Sequence, residues 1–140
     1  MNIGKLKRNI EEMENKIKLQ LKIQNGGYGV CKLSVKENIP DWTKGNFISI
    51  TRTDEELSIV CEEKYIPGNT KCEKGWKCLK VMGPLDFSLI GILSALTRPL
   101  AIACISIFAI STFDTDYLLI KKDMLKKAVE VLSNKGHIIL

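Results

Sequence analysis

The segment Ile105–Ile120, which reads ISIFAISTFDTDYLLI, constrains the fold more than any other part of the sequence. Two apolar runs of strand length, rich in β-branched and aromatic residues, flank a short polar segment, Ser111–Asp116. We call this polar segment the elbow; it is short enough to connect two antiparallel strands. Both alternating faces of Ile105–Ser111 are mostly apolar, which predicts a hairpin covered on both faces. The elbow would then lie at the edge of the covered region, where we expect a ligand.

The elements around this hairpin predict an α+β fold. The order over residues 75–140 is strand, helix, strand, strand, helix, strand (βαββαβ), which is the ferredoxin-like arrangement. Pro99 is expected to kink or end the first of these helices. The segments are a strand at Gly75–Val81, an apolar stripe of helical spacing at Leu85–Thr97, the hairpin, a second helical stripe at Lys122–Ser133 and a strand at His137–Leu140.

The first half of the chain is rich in predicted strands and has only short helical stretches. Ile17–Ile23 alternates apolar and polar residues, and Asn25-Gly26-Gly27 is a hairpin-type turn leading to a return strand at Tyr28–Val35. A faint repeat places Ile50–Leu57 over Ile110–Tyr117, which suggests two related modules. We therefore expect an N-terminal extension at residues 1–16, either a docked helix or a loose leader, a strand-rich module at 17–74 and a ferredoxin-like module at 75–140.

Composition argues against several classes of function. The 140 residues carry a formal net charge of +5, but the Lys-rich places form no continuous stripe, and Asp114 and Asp116 would repel phosphate. One His and five Cys without a CxxC motif make a metal site unexpected, and the Cys residues are interpreted as reduced thiols of a cytoplasmic protein. Arg98-Pro99 interrupts the longest apolar stretch, Phe87–Phe113, so no membrane span is expected.

Three segments carry a resemblance to a known family. They are FISITRTDEELSIVC, GWKCLKVMGPLDFSLIGILSAL and the organising hairpin. They look like the small standalone ACT-domain proteins of bacteria, and are similar to the ACT modules of the cytosolic arginine sensors of animals (the CASTOR proteins) and of aspartate kinases. The resemblance covers roughly residues 17–140. It implies a pair of ACT modules that binds an amino acid or similar small metabolite between modules and has no catalytic activity.

Two segments are the candidate ligand-binding sites. The loop after the Gly75–Val81 strand precedes a predicted helix start, whose backbone amides favour a carboxylate. From spacing alone, however, we favour an ordinary β–α loop in which Asp86 interacts with the helix dipole. The elbow offers hydroxyls and carboxylates, although a polar hairpin turn needs no ligand. The resemblance implies ligand contacts in both. The residues are Gly83, Leu85, Asp86 and Phe87 in the loop, and Ser111, Thr112, Phe113 and Asp116 in the elbow.

Other polar residues are expected to have structural roles. Arg52 could meet a ligand carboxylate, but we favour a surface pair with Asp54 or Glu55. Cys104 is expected to fill core space, and His137 has no evident acidic partner for catalysis. The sequence therefore predicts a noncatalytic amino-acid-binding regulatory protein, expected to form a homodimer and to need no cofactor. The alternative is a structural module that dimerises or binds a partner without a ligand.

Overall fold

The computed structural model describes residues 2–83 and 90–140. They form two compact units: unit 1 comprises Met1–Ile23 and Leu79–Leu140, and unit 2 comprises Gln24–Cys78. The helices are α1 (Ile3–Lys16), α2 (Ile92–Ile102) and α3 (Leu125–Asn134). The strands are β1 (Gln20–Ile23), β2 (Tyr28–Leu33), β3 (Ser49–Arg52), β4 (Leu57–Glu62), β5 (Cys72–Val81), β6 (Ile107–Ser111), β7 (Asp116–Lys121) and β8 (Ile138–Ile139).

The predicted α+β fold is confirmed, with the ferredoxin-like chain order β5-α2-β6-β7-α3-β8. In unit 1 the spatial order of the strands is β6-β7-β5-β1-β8. β1 is the strand that the sequence did not place here: it pairs antiparallel with β5 and parallel with β8. Leu21 at its centre is fully buried, opposite Val81 on one side and Ile139 on the other. The alternation at Ile17–Ile23 is therefore that of an inserted strand with one face in the core.

Helices α2 and α3 cover the core of unit 1. Leu96 and Leu100 of α2 and Ala128 and Leu132 of α3 are buried, and they pack with strand residues of one hydrophobic cluster. The spacing of four residues within each pair repeats about once per helical turn, so both side chains lie on the same face. The other residues of the cluster are Leu21, Leu79, Val81, Leu118 and Ile120 of the strands, together with Ile105 in the segment before β6.

Unit 2 is built on the strand order β3-β4-β2-β5, in which the pairs are antiparallel. Its cluster of buried residues contains two cysteines together with aliphatic side chains: Cys31, Leu57, Ile59, Cys61 and Ile66. β1 pairs within unit 1 and β2 within unit 2, so the predicted hairpin through Asn25–Gly27 is wrong. Gly26 still turns the chain, with φ +84°, but the strands on either side find other partners.

Pro99 does not end α2, because the helix continues to Ile102 with Pro99 buried inside it. Proline lacks the N–H that would bond the carbonyl of Ala95 four residues earlier. His137 supplies the missing donor, since the Ala95 carbonyl accepts a hydrogen bond from it. The described part of this helix begins after Gly91, whose φ is +84°, and the predicted start near Pro84 lies outside the described residues.

The expectations for cysteine burial and for cover of the hairpin hold only in part. Cys104 is exposed and adopts φ +60°, so it is a turn residue after α2 and does not fill the core. Within β6, Ile107 and Ile110 are half-buried and Ala109 is exposed, so this chain covers the strand incompletely.

Among the described helices, none is long and apolar enough to cross a membrane.

Candidate functional site

The elbow is a tight turn that closes the β6–β7 hairpin. Ser111 and Asp116 are the last paired residues of the two strands. Inside them, the Thr112 amide donates to the Thr115 carbonyl at 2.8 Å, and the Thr112 hydroxyl donates to the same oxygen at 3.0 Å. Thr112 is therefore held by the turn itself, in the way that threonine hydroxyls commonly replace backbone partners in turns.

Thr115 fixes the elbow to the strand that leads into the candidate loop. Its side chain is only 5% exposed, and its hydroxyl donates a hydrogen bond of 2.6 Å to the Val81 carbonyl. Val81 is the last residue of β5 and precedes Gly83 by two positions. This bond brings the elbow next to the start of the loop that the sequence singled out. The sequence did not single out Thr115, because no local pattern indicates that its hydroxyl meets the distant Val81 carbonyl.

Asp116 is half-buried at the point where the chain enters β7. The hydroxyl of Ser111, across the hairpin, donates a hydrogen bond to its Oδ1 atom. Two of the predicted site residues are thus in direct contact. Oδ1 of Asp116 accepts this bond within the hairpin. Because a carboxylate can accept several hydrogen bonds, Asp116 keeps acceptor positions for further donors.

The other predicted residues of the elbow are open to solvent. Phe113 is 82% exposed at the tip, and Thr112 and Asp114 are exposed beside it. The turn therefore presents an aromatic ring and a carboxylate outward, with the half-buried Asp116 carboxylate at its base. An aromatic ring this exposed in a tight turn offers apolar contact area for a partner or ligand.

The candidate loop is described only at its start. Gly83 is exposed, and Met82 before it donates its amide to the Gln20 carbonyl at 2.8 Å, which anchors the chain to β1. The remaining predicted loop residues, Leu85, Asp86 and Phe87, lie outside the described residues. Their participation in a site stays a prediction.

His137 and Arg52 have structural partners. His137 is 5% exposed, and its Nδ1 accepts a hydrogen bond of 3.1 Å from the Leu19 amide. Burial lowers the pKa of the imidazole, and the Ala95 carbonyl opposes part of that shift. Arg52 donates hydrogen bonds to the backbone carbonyls of Val35 and Glu37. Its side chain therefore holds the loop after β2, in place of the expected pair with Asp54 or Glu55.

The described residues hold no group of His, Cys, Asp or Glu side chains arranged to bind a metal ion. The nearest approach to an acid–base set in unit 1 is the ion pair between Glu14 and Arg98, with Nε and Oε2 at 2.9 Å. It joins α1 to α2 and lies beside the buried His137 in a cavity of about 240 Å³. His137 uses both ring nitrogens to hydrogen-bond backbone groups.

Comparison with known proteins agrees with this fold. The family model described as ACT domain matches residues 71–134, and a second model, described as an N-terminal domain, matches residues 26–69. A crystal structure of a protein from Agobacterium tumefaciens is 46% identical, with a TM-score of 0.84 over 89% of this chain and 93% of that one. Residues 71–134 of the chain therefore form an ACT domain.

Two further relatives are regulatory proteins by name. The human cytosolic arginine sensor for mTORC1 subunit 1 is 38% identical over 104 residues, which are 69% of this chain and 32% of that protein. The chain thus spans about a third of the length of the curated relatives it matches. The ligand-free regulatory subunit of aspartate kinase from Thermus thermophilus shares the fold at 6% identity, with a TM-score of 0.58 over 82% of this chain and 96% of that one.

Proposed function

We propose that this protein is a noncatalytic regulatory protein that binds a free amino acid or a similar small metabolite. The single observation that carries the proposal is the 2.6 Å hydrogen bond from Thr115 to the Val81 carbonyl. It joins the elbow to the strand that leads into the Gly83–Phe87 loop, and these are the two segments in which the family resemblance implies ligand contacts. The ACT domain at residues 71–134 and the name of the arginine sensor support an amino acid as the ligand class.

In the proposed mechanism Asp116 accepts a hydrogen bond from the ammonium group of the ligand. Its carboxylate is half-buried and bonds Ser111 through Oδ1, so a second donor can approach the remaining acceptor positions. Amides of the Gly83–Phe87 loop would hold the ligand carboxylate, and the exposed Phe113 ring would contact its side chain. A second ACT module would close the opposite side, as expected from the sequence. The bound ligand then favours one arrangement of the modules over others.

The experiment is a thermal-shift screen with the twenty amino acids followed by calorimetry on each compound that raises the melting temperature. A ligand that binds only the native state raises this temperature, and the stabilisation grows with the logarithm of the ligand concentration relative to Kd. Asp116→Asn should weaken binding about tenfold or more, because a charge-assisted bond to a partly buried group contributes about 1.5–3 kcal/mol. Asp114→Asn is the matched control, since Asp114 is exposed on the same turn, and its affinity should equal that of the wild type.

Ser111→Ala separates ligand binding from turn stability. It removes the bond that Ser111 donates to Asp116 and keeps the carboxylate. If Asp116 serves only the turn, Ser111→Ala and Asp116→Asn will shift the melting temperature without changing any affinity. Equal affinities of wild type and Asp116→Asn for the screened ligand would remove Asp116 from the site.

A structural dimerisation module without a ligand is the second candidate function. One observation favours it: the polar side chains of Ser111, Thr112, Thr115 and Asp116 all have partners within unit 1. A turn that satisfies its own polar groups needs no ligand to be stable. The absence of any stabilising compound in the amino-acid and metabolite screen would establish this reading and overturn the first.

A further inference from the structure

Three cysteine side chains come together in the buried cluster of unit 2. Cys31 of β2, Cys61 of β4 and Cys72 of β5 are free thiols, and all three belong to or pack against the same hydrophobic cluster. Cys31 and Cys61 are buried, at 1% and 0% exposure, whereas Cys72 is partly exposed. Cys61 lies opposite Gly29, two residues before Cys31 on β2, and Cys72 lies opposite Cys31, so the three cysteines occupy one region of the sheet.

Cys31 and Cys72 lie directly opposite each other in the antiparallel pair of β2 and β5. The adjacent residues Lys32 and Lys71 form a hydrogen-bonded pair, since the Lys32 amide donates to the Lys71 carbonyl at 3.1 Å. Paired positions alternate along an antiparallel ladder, so the cysteines occupy a non-hydrogen-bonded pair. Opposite Cα atoms at such positions are about 4.5 Å apart, within the range of about 4.4–6.8 Å that disulfides span.

The two side chains lie on the same face of the sheet, because residues directly opposite each other in an antiparallel pair project to the same side. Gly29 supplies the room for this arrangement: a Cβ atom there would lie 2.7 Å from the Cys72 sulfur and 2.6 Å from Ile66 Cδ1. The glycine therefore lets the Cys72 side chain lie over β2, on the face that carries Cys31.

We propose that Cys31 and Cys72 form a thiol–disulfide site, in which a small disulfide such as oxidised glutathione cross-links β2 to β5. The thiolate of the partly exposed Cys72 attacks one glutathione sulfur, forming a mixed disulfide and releasing one glutathione thiolate. The deprotonated Cys31 then attacks the Cys72 sulfur and displaces the second glutathione. Two protein thiols are oxidised to one disulfide, and one glutathione disulfide is reduced to two thiols.

The high pKa of Cys31 makes the second step, its attack on the Cys72 sulfur, the slow one. Burial, the Cys72 thiol and Cys61 raise the pKa of Cys31 to about 12, whereas Lys74 acts in the opposite direction. The thiolate fraction of such a group increases about tenfold with each pH unit near neutrality. Closure of the disulfide should therefore accelerate with pH, while the reduced pair persists near neutral pH until an oxidant reaches Cys72.

The test uses the full chain carrying Cys104→Ser, which removes the exposed thiol that could react first. The protein is incubated with oxidised glutathione from pH 7 to pH 9, and intact mass and peptide mapping follow the products. The expected product has lost two hydrogens, links the Cys31 and Cys72 peptides, and forms about tenfold faster per pH unit. Its melting temperature should rise by several degrees and return to the starting value with a reducing agent, because a cross-link between distant residues restricts the unfolded chain.

Two further variants identify the roles of the thiols. Cys31→Ser should stop the reaction at a glutathione adduct on Cys72. Cys78→Ser, which removes a fully buried cysteine outside this cluster, should leave the Cys31–Cys72 product unchanged. A stable adduct on Cys72 at pH 9 with Cys31 intact, a Cys61–Cys72 link, or no reaction at either thiol would each overturn the proposal.

Discussion

At the scale of single residues, His137 shows how one side chain compensates for a defect elsewhere in the fold. Pro99 deprives the Ala95 carbonyl of its helical donor, and the imidazole donates to that carbonyl while accepting from the Leu19 amide. A ring that accepts at Nδ1 and donates from its other nitrogen is neutral. The only histidine of the chain is thus a buried connector between α2 and the segment before β1.

Because His137 is neutral in the folded protein, we expect the folded protein to lose stability in mild acid. Burial lowers the pKa of His137 in the folded state below its unfolded value near 6.5, so the unfolded chain binds the proton more readily. The contribution to stability is complete above about pH 6.5 and is lost as pH falls from there through the lowered folded pKa. Urea unfolding of the wild type between pH 7.5 and pH 5 should show this decline.

His137→Gln is the corresponding variant, because an amide can donate and accept without titrating. Its free energy of unfolding should change much less over the same pH range. Since the chain has one histidine, no other imidazole contributes to the difference between the two curves. Parallel pH profiles for the two proteins would show that His137 is not neutralised by folding.

At the scale of elements, helix α1 is attached to the unit through its C-terminal half. Asn2 caps its first turn, with its side chain accepting from the Gly4 and Lys5 amides. Ile3 and Leu6 are exposed, at 82% and 43%, whereas Glu14 near the other end is buried. The sequence left open whether residues 1–16 form a docked helix, and it did not predict that a carboxylate would be the most buried side chain of this segment.

Glu14 gives a prediction about the attachment of α1. Its carboxylate pairs with Arg98 of α2, whose side chain is 45% exposed and partly screened by solvent. Glu14→Ala should therefore lower the free energy of unfolding by about 1–2 kcal/mol, below the cost of breaking a fully buried pair. Glu12→Ala is the matched control on an exposed position of the same helix and should change it by less than about 0.5 kcal/mol. Equal effects of the two variants in urea unfolding would contradict the docking role of Glu14.

At the scale of the whole molecule, the proposed function includes a homodimer. Strand β6 allows a test of this association. β6 pairs only with β7 among the described strands, so it is a terminal strand of its sheet. The two faces of β6 differ. Ala109 lies on the face toward the helices and is exposed, whereas Ile110 lies on the opposite face and is half-buried. If a second chain completes the cover of β6, Ile110 contacts it.

Ile110→Lys should then weaken the dimer strongly, because a lysine placed in an apolar contact must be desolvated. Ala109→Lys, on the neighbouring residue and the other face, should leave the association intact. Sedimentation equilibrium over a range of concentrations measures both, and circular dichroism shows whether each variant keeps its fold. A wild type that sediments as a monomer at all concentrations would exclude the homodimer.

The sequence by itself determined the order of the elements over residues 75–140, because period-two and helical apolar patterns depend only on neighbouring residues. It also located the elbow, since a polar break between two strand-length apolar runs is a local signal. The ACT-domain family followed from the same segments. These predictions needed no knowledge of which distant residues meet.

The tertiary structure decided which strands pair and which distant side chains meet. β1 lies between β5 and β8 because Leu21 is buried between Val81 and Ile139, a contact between residues far apart in the chain. The same holds for Thr115 and Val81 at the candidate site, for Cys31 opposite Cys72, and for His137, which serves a carbonyl freed by Pro99. An amphipathic pattern fixes which face of an element is buried, but many pairings satisfy that pattern, and only close packing with matched hydrogen bonds selects one of them.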